Sequence, residues 1–349
     1  MKKCIYIIIL FTFFSCKNEL ENSPIKLFSN KEDLLEINCS FDEDSLARIE
    51  AIQCNNSSLV VFDYHSGKSF SLFDLQLENY IGRFGEIGQG PNEIPLGCYG
   101  YLNDVDFTIN DDQTGLISKY AIDSLRANIQ FRPLRLAKYK IAEAQFSRVI
   151  PINDSLFLGA GTYQSKFQFT LFDKKSEVID FGVEIFDANN KDFNIYHKYL
   201  ANQGIFQKHP IQNKFVYAIN YSSNIDFVKV VNNKIITIKS IRLRDPKVEP
   251  KQNGGMNNIL PDVDNSIGYI DISTSNNYVY ALYSDKKLDN PFCSNIVLMF
   301  DWEGNPVKVL YLDHDAYYIT VNEKLKRMYT AIKNENKGWS ITSYKLNNF

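Results

Sequence analysis

Residues 71–74 read SLFD, a strand end closed by an aspartate, and this short pattern returns along the whole chain. It recurs as YAID (120–123), TLFD (170–173), KVVN (229–232), LMFD (298–301) and YKLN (344–347). Asp and Asn suit the closing position because their side chains bond the backbone two residues on and start a turn. The closing residues, Asp74, Asp123, Asp173, Asn232, Asp301 and Asn347, are separated by 49, 50, 59, 69 and 46 positions. Upstream of most lies a partner run: LVVFD (59–63), LFLGAG (156–161), FVYAIN (215–220), YVYALY (278–283) and RMYTAI (327–332). These runs are rich in β-branched and aromatic residues, as strands are. A four-stranded antiparallel unit of about 55 residues, repeated six times, is a propeller blade. A sandwich has no reason to repeat at this interval, and seven blades would need units of about 48 residues. The predicted fold is all-β, a six-bladed β-propeller spanning 33–349 as one domain.

Composition agrees. The 349 residues include 25 Phe and 21 Tyr, no long amphipathic helical segment appears, and no linker rich in Pro, Gly or Ser divides the chain. The last unit stops short, because Phe349 follows Asn347 by two residues and leaves no room for an outer strand. DLLEINCSF (33–41) precedes the first unit and reads as a strand. The ring is therefore expected to close by this N-terminal strand joining the last blade.

The chain begins MKKCIYIIILFTFFSC (1–16): two lysines, an apolar run from Ile5 to Phe14, then Ser15-Cys16. A membrane-spanning helix needs roughly 20 apolar residues, twice this run, so residues 1–15 read as a signal peptide. A small residue directly before a Cys at the end of such a run resembles the lipobox of bacterial lipoproteins. That resemblance implies lipid attachment at Cys16 and a membrane contact through the lipid. Residues 16–32, opening with the polar KNELEN after Cys16, are expected to form a tether. The location implied is the cell envelope, on the periplasmic or surface face of the outer membrane. The formal net charge is −3, and removing two lysines with the signal makes the chain more acidic. A nucleic-acid partner, which demands a basic footprint, is not expected. Cys39, Cys54, Cys98 and Cys293 are widely spaced, with no C-x-x-C; small buried thiols are expected, with a Cys39–Cys54 bridge left open.

GRFGEIGQGPNEIPLG (82–97) carries five glycines in sixteen positions. A phosphate-cradling loop must open a helix, whose first N–H groups hold the anion. The next residues here, CYGYLNDVDFTI (98–109), are strand-like; Pro91 and Pro95 would break a helix, and neither nucleotide fingerprint fits. The loop is read instead as structural, crossing from the outer strand of one blade to the inner strand of the next. Arg83, Gly85, Gly88, Gly90, Pro91 and Glu93 form its motif, with Glu93 placed to accept backbone N–H bonds. The pattern R-F-G-x-x-G-x-G-P-x-E resembles the corresponding loop of TolB-like six-bladed propeller lipoproteins. The resemblance implies a fold, export and a lipid anchor, and it implies no reaction.

Few residues carry chemistry. His65 sits at a hairpin tip, His197 and His209 flank a blade crossing where they could converge, and His314 lies between two acids. Without ligand spacing, no metal site and no cofactor are expected. Asp104, Asp106, Asp111 and Asp112 have the chemistry of calcium ligands, although acidic loops are usually just solvated. No G-x-S-x-G elbow or Cys/His nucleophile is visible, so no catalytic residue is assigned. Two functions compete: a binding or scaffolding module for a carbohydrate polymer or partner protein, and a hydrolase or lyase acting on an exported sugar or lactone. Tyr99, Tyr101, Tyr196 and Tyr199, near expected crossings, are the aromatics that could stack on a ligand. Aromatics at the axis favour binding; a cluster of His and acids there favours the enzyme.

Overall fold

The computed structural model of the chain describes residues 23–37, 39, 41, 46–90, 92–95, 99–112, 114–139, 146–161, 166–185, 194–253, 256–262, 265–334 and 338–347. Cys16, Pro91 and Cys98 lie outside the described residues, as does the expected signal peptide. The described strands form a six-bladed β-propeller. Its six inner strands are Ala51–Cys54, Tyr99–Leu102, Arg148–Asn153, Gly204–Lys208, Tyr269–Thr274 and Tyr318–Asn322. From each, the next strands in sequence pair antiparallel and step outward; in blade 1 they are Ser58–His65, Lys68–Asp74 and Asn79–Glu86.

The middle strands are buried on both faces, which is why they read as continuous apolar runs rather than alternating ones. Phe215 to Ile219, on the second strand of blade 4, are all buried, whereas its outer strand Lys234–Ile241 is largely exposed or half-buried. The buried side chains fall into six clusters, one between each pair of neighbouring blades. Phe62, Phe70, Phe84, Phe107 and Tyr120 fill the gap between blades 1 and 2; Phe146, Phe157 and Phe172 pack with Ile117 and Tyr139 between blades 2 and 3.

Among the described residues the inner strands pair with no backbone on the axis side, and side chains tie them to one another. Gln53 donates to Gly100 O (2.7 Å) and accepts from Leu102 N (2.8 Å), joining blades 1 and 2. Cys54 N donates to Thr320 Oγ1 (2.8 Å), joining blades 1 and 6. Asp271 and Ser273 accept from Ile319 N (2.9 Å) and Val321 N (2.8 Å), joining blades 5 and 6.

The N-terminal segment runs across three blades. A 3-10 turn at Pro24–Leu27 leads into β1 (Lys31–Leu34), which adds to blade 5 as a fifth, parallel strand. β2 (Glu36–Ile37) then pairs antiparallel with Gly338–Lys345 and takes the outer position of blade 6. Of residues 33–41, expected on the last blade alone, the described strand residues are shared between two blades, 33–34 on blade 5 and 36–37 on blade 6. Phe28, Leu34 and Phe41 enter three successive interblade clusters, 4/5, 5/6 and 6/1. The expected tether reaches the described residues at Ser23, whose hydroxyl donates to Asp285 (2.6 Å); from there Pro24, Phe28 and Leu34 are buried against the ring.

The repeated aspartates close the turn after the third strand. Asp74, Asp173 and Asp301 each accept two backbone N–H bonds there, and Asn232 takes the left-handed conformation (φ 50°). Asp123 differs. Its strand ends at Ala121, and Asp123 lies in the first turn of α1 (Ile122–Ala127), a helix held by burial of Ile122 and Leu125. A second series, not apparent in the letters, closes the turn after each inner strand. Side-chain acceptors of Asn55, Asn103, Asn153, His209, Ser275 and Asn322 each take a backbone N–H two or three residues on.

The two long intervals also have a physical source. The 59-residue spacing contains α2 (Ile195–Ala201), and the 69-residue spacing contains a hairpin, Val248–Asn253 with Met256–Pro261. Both are inserted between an outer strand and the next inner strand, and they pack on one another.

Candidate functional site at the propeller axis

The inner strands all start at one end of the ring, so their first residues converge there. That mouth is a cavity of about 430 Å3, lined by Glu50, Gln53, Phe62, Tyr64, Tyr99, Arg148, Gln207, Asp271 and Tyr318 together with small and aliphatic residues. Each blade contributes from its inner strand or the residues beside it, which no contiguous motif could reveal. α2 and the inserted hairpin lie in connections at this same end.

Tyr99 is 41% exposed, and the Arg148 guanidinium sits 4.5 Å from its ring centroid. Stacking on the aromatic face holds the cation in place while leaving its edge N–H groups available. Among the described residues no carboxylate forms an ion pair with Arg148. In the same cavity, Asp271 accepts from Ile272 N and Ile319 N, both at 2.9 Å. Burial pushes the Asp271 carboxyl up to about 7, against the pull of those two bonds and of Arg148. Burial also raises the Tyr318 phenol, with the carboxylates of Glu50 and Asp271 adding to it.

Of the tyrosines anticipated from sequence, Tyr99 reaches the mouth. Tyr199 on α2 is close enough to Tyr99 and Asp112 for their charges to act on it, and its ring meets Tyr196 at 5.9 Å. Tyr101 is buried in the cluster between blades 3 and 4. Arg148, Asp271 and Tyr318 were not anticipated; their only signal is the position at the start of an inner strand.

The histidines do not gather. His197 caps α2, its N–H bonded to the Asn194 side chain (2.9 Å) and its Nδ1 accepting from Asn194 N (3.3 Å). His209 lies instead at the opposite end of its inner strand, where Nδ1 accepts from Ile211 N (3.0 Å) and Gln212 N (3.1 Å). Its ring packs 4.9 Å from Trp302, and burial holds it down to about 4. His65 ends the second strand of blade 1, before a turn in which Ser66 and Gly67 have positive φ. His314 sits 3.1 Å from Glu36. The acidic loop residues have separate partners: Asp106 pairs with Lys119, Asp111 accepts from Thr114, and Asp104 accepts from Asn56. Cys39, Cys54 and Cys293 are free thiols, so the Cys39–Cys54 bridge is absent. Cys39 bonds Ile341 O, and burial pushes both Cys39 and Cys54 up to about 12.

The glycine-rich loop connects the outer strand of blade 1 to the inner strand of blade 2, and its polar groups are turned on one another. Gly90 N donates to Glu93 Oε2 (2.7 Å), and a Cβ at Gly88 or Gly90 would fall within 2.0 or 2.8 Å of the Glu93 carboxyl group. Gly85 takes φ +75°, with Phe70 filling the place of a side chain. Arg83 grips the buried Asp63 with both arms (2.6 and 2.8 Å) and also bonds Ser71.

The ring agrees with comparisons to known proteins. A protein of Bacteroides fragilis NCTC 9343 inferred to be exported has a similar fold, with a TM-score of 0.56 and 13% identity, covering 90% of this chain and 94% of its own. A DUF4221 family member from Bacteroides vulgatus ATCC 8482 gives a TM-score of 0.52 and 12% identity, over 92% and 99% of the two chains. No curated protein matches the sequence. The model of the TolB-like 6-blade propeller-like family matches residues 50–324. With six blades around an open axis and a family match over most of its length, the chain belongs to the TolB-like six-bladed propeller family.

Proposed function

We propose that the protein is a lipid-anchored module of the cell envelope that binds a carbohydrate polymer or a partner protein at the axis mouth. The observation that carries this reading is the set Tyr64, Tyr99 and Tyr318 around one cavity, with Arg148 laid on Tyr99. Aromatic faces offer large contact area at low ordering cost, and a stacked guanidinium offers directed donors. The described lining holds no His, Cys or Ser that could serve as a nucleophile or its base. Signal-like residues 1–15, Cys16 and the likeness to a protein inferred to be exported support the envelope location.

The test is to identify what co-purifies with the protein from its own envelope, then measure that ligand's affinity for Tyr99→Ala and Arg148→Ala. A loss of more than about 10-fold, with an unchanged melting temperature, supports the reading. Unchanged affinity in both variants overturns it.

One observation favours hydrolysis or elimination instead: Asp271 has a carboxyl raised toward neutrality in the same cavity as Glu50, the pattern of an acid and its companion carboxylate. Both Asp271 oxygens, however, already hold backbone N–H groups. Turnover of an oligosaccharide or lactone that disappears in Asp271→Asn would put the enzyme first.

A further inference from the structure

We propose that Glu36, Asp313 and His314 form a binding site for a divalent transition-metal ion, and that the bound ion fastens β2 to blade 5. Glu36 belongs to β2, whereas Asp313 and His314 lie near the end of Pro306–Ala316, the fourth strand of blade 5. The site therefore exists only when the N-terminal segment is in place.

The geometry is close to what an ion needs. His314 Nε2 lies 3.1 Å from Glu36 Oε2 and 4.0 Å from Asp313 Oδ1, and one donor atom from each residue falls within 4.8 Å of the others. Donors held at about 2.0–2.2 Å from a tetrahedral ion stand roughly 3.3–3.6 Å apart. His314 is 54% exposed, so a small rotation can close the remaining gap.

Both carboxylates are already aimed. Asp313 Oδ1 accepts the Tyr344 hydroxyl (2.7 Å), and Oδ2 accepts Glu36 N (3.1 Å). Glu36 Oε1 accepts the Thr342 hydroxyl (2.5 Å), leaving Oε2 turned to the imidazole. Outer hydrogen bonds of this kind orient ligating carboxylates and fix their position. Tyr344 is fully buried, so the support is rigid.

Among the described residues no permanent cation is paired with either carboxylate; Lys286 is taken by Asp315, and Lys333 lies 6.0 Å from the Trp339 ring centroid. One imidazole and two carboxylates suit Zn2+ or Mn2+, whereas Ca2+ wants six to eight oxygens. Glu36 and His314 line a cavity of about 450 Å3, with room for the water that would complete the coordination.

The experiment titrates Zn2+ into chelator-stripped full chain by calorimetry, with Co2+ absorption as an independent probe of coordination. One ion per chain is expected, together with a rise in melting temperature of about 5 °C at a hundredfold excess over Kd. His314→Ala should abolish binding and the thermal shift. Tyr344→Phe, which removes only the hydroxyl on Asp313, should weaken binding about 10-fold. Glu36→Gln keeps an acceptor for Thr342 and so tests the charge without losing the strand. Absence of Zn2+ binding by the wild-type chain, or an unchanged Kd in both His314→Ala and Glu36→Gln, overturns the proposal.

Discussion

Phe41 lies edge-on to Tyr329, ring centroids 5.9 Å apart at 64°, and so joins the N-terminal segment to the core between blades 6 and 1. The same ring meets Phe73 of blade 1 at 5.4 Å. A single side chain thus bridges the first and last blades, where an open ring would expose a sheet edge. Phe41→Ala should destabilise the protein by about 3–5 kcal/mol, the usual cost of deleting a buried ring. Leu35→Ala, at a position 76% exposed, should be close to neutral. Urea unfolding of both variants decides the matter; equal midpoints would mean that Phe41 contributes nothing to closure.

His209 should make the fold acid-sensitive. Its folded pKa is lowered to about 4 from an ordinary 6.5, so the native state holds it neutral while the unfolded chain takes up a proton. The stability gained from the neutral ring is present above about pH 6.5 and is lost as pH falls toward 4. Asn occupies the equivalent turn in four other blades and offers the same acceptor without titrating there. His209→Asn should fold and show a flatter stability profile between pH 6.5 and 4. An unchanged slope in that variant would assign the acid sensitivity to other groups.

That turn also shows what could be read from sequence and what could not. The third-strand ends were legible because Asp and Asn recur there as letters at near-regular spacing. The inner turns were not, because Asn, His and Ser share an acceptor atom rather than an identity. Asp123 fitted the pattern yet belongs to α1, since burial of Ile122 and Leu125 overrides the turn preference. The intervals of 59 and 69 residues carried the two insertions without saying that both lie in connections at the mouth end of the ring. Arg148, Asp271 and Tyr318 come from three different inner strands, and only closure of the ring makes them neighbours.

Arg83 should prove a structural residue. It neutralises Asp63, whose carboxyl is pushed up by burial and pulled down by the guanidinium and Ser71. Arg83→Ala leaves that carboxylate buried and unpaired, at a cost of about 3–5 kcal/mol. Adding Asp63→Asn should recover a substantial part of the loss, because the uncompensated charge is gone. A double variant no more stable than Arg83→Ala would argue against charge burial as the cause.

Gly90→Val tests the loop beside it. Gly90 is not in the left-handed region, so the expected cost of about 1–3 kcal/mol comes from displacing the Glu93 carboxylate that its N–H holds. Thermal melts should show the loss, with ligand affinity at the axis mouth unchanged. Full stability with lost affinity would make the loop part of a binding surface.

Anchoring through Cys16 makes the last prediction, and the packed position of Ser23 sharpens it. Residues 16–22 can span at most about 24 Å even when fully extended. A ring attached at Ser23 would then be held close to the bilayer by the flank that carries β1 and blade 5. Lys26 and Lys31 are exposed on that flank, whereas Lys174 and Lys175 are exposed on blade 3, two blades away from blade 5. In lipid vesicles carrying the acylated protein, amine labelling of Lys26 and Lys31 should fall relative to Lys174 and Lys175. Cys16→Ala should release the protein to the soluble fraction and restore the labelling ratio. Detergent partitioning that persists in Cys16→Ala would remove the lipid anchor, and equal labelling of the two flanks in anchored protein would remove the short tether.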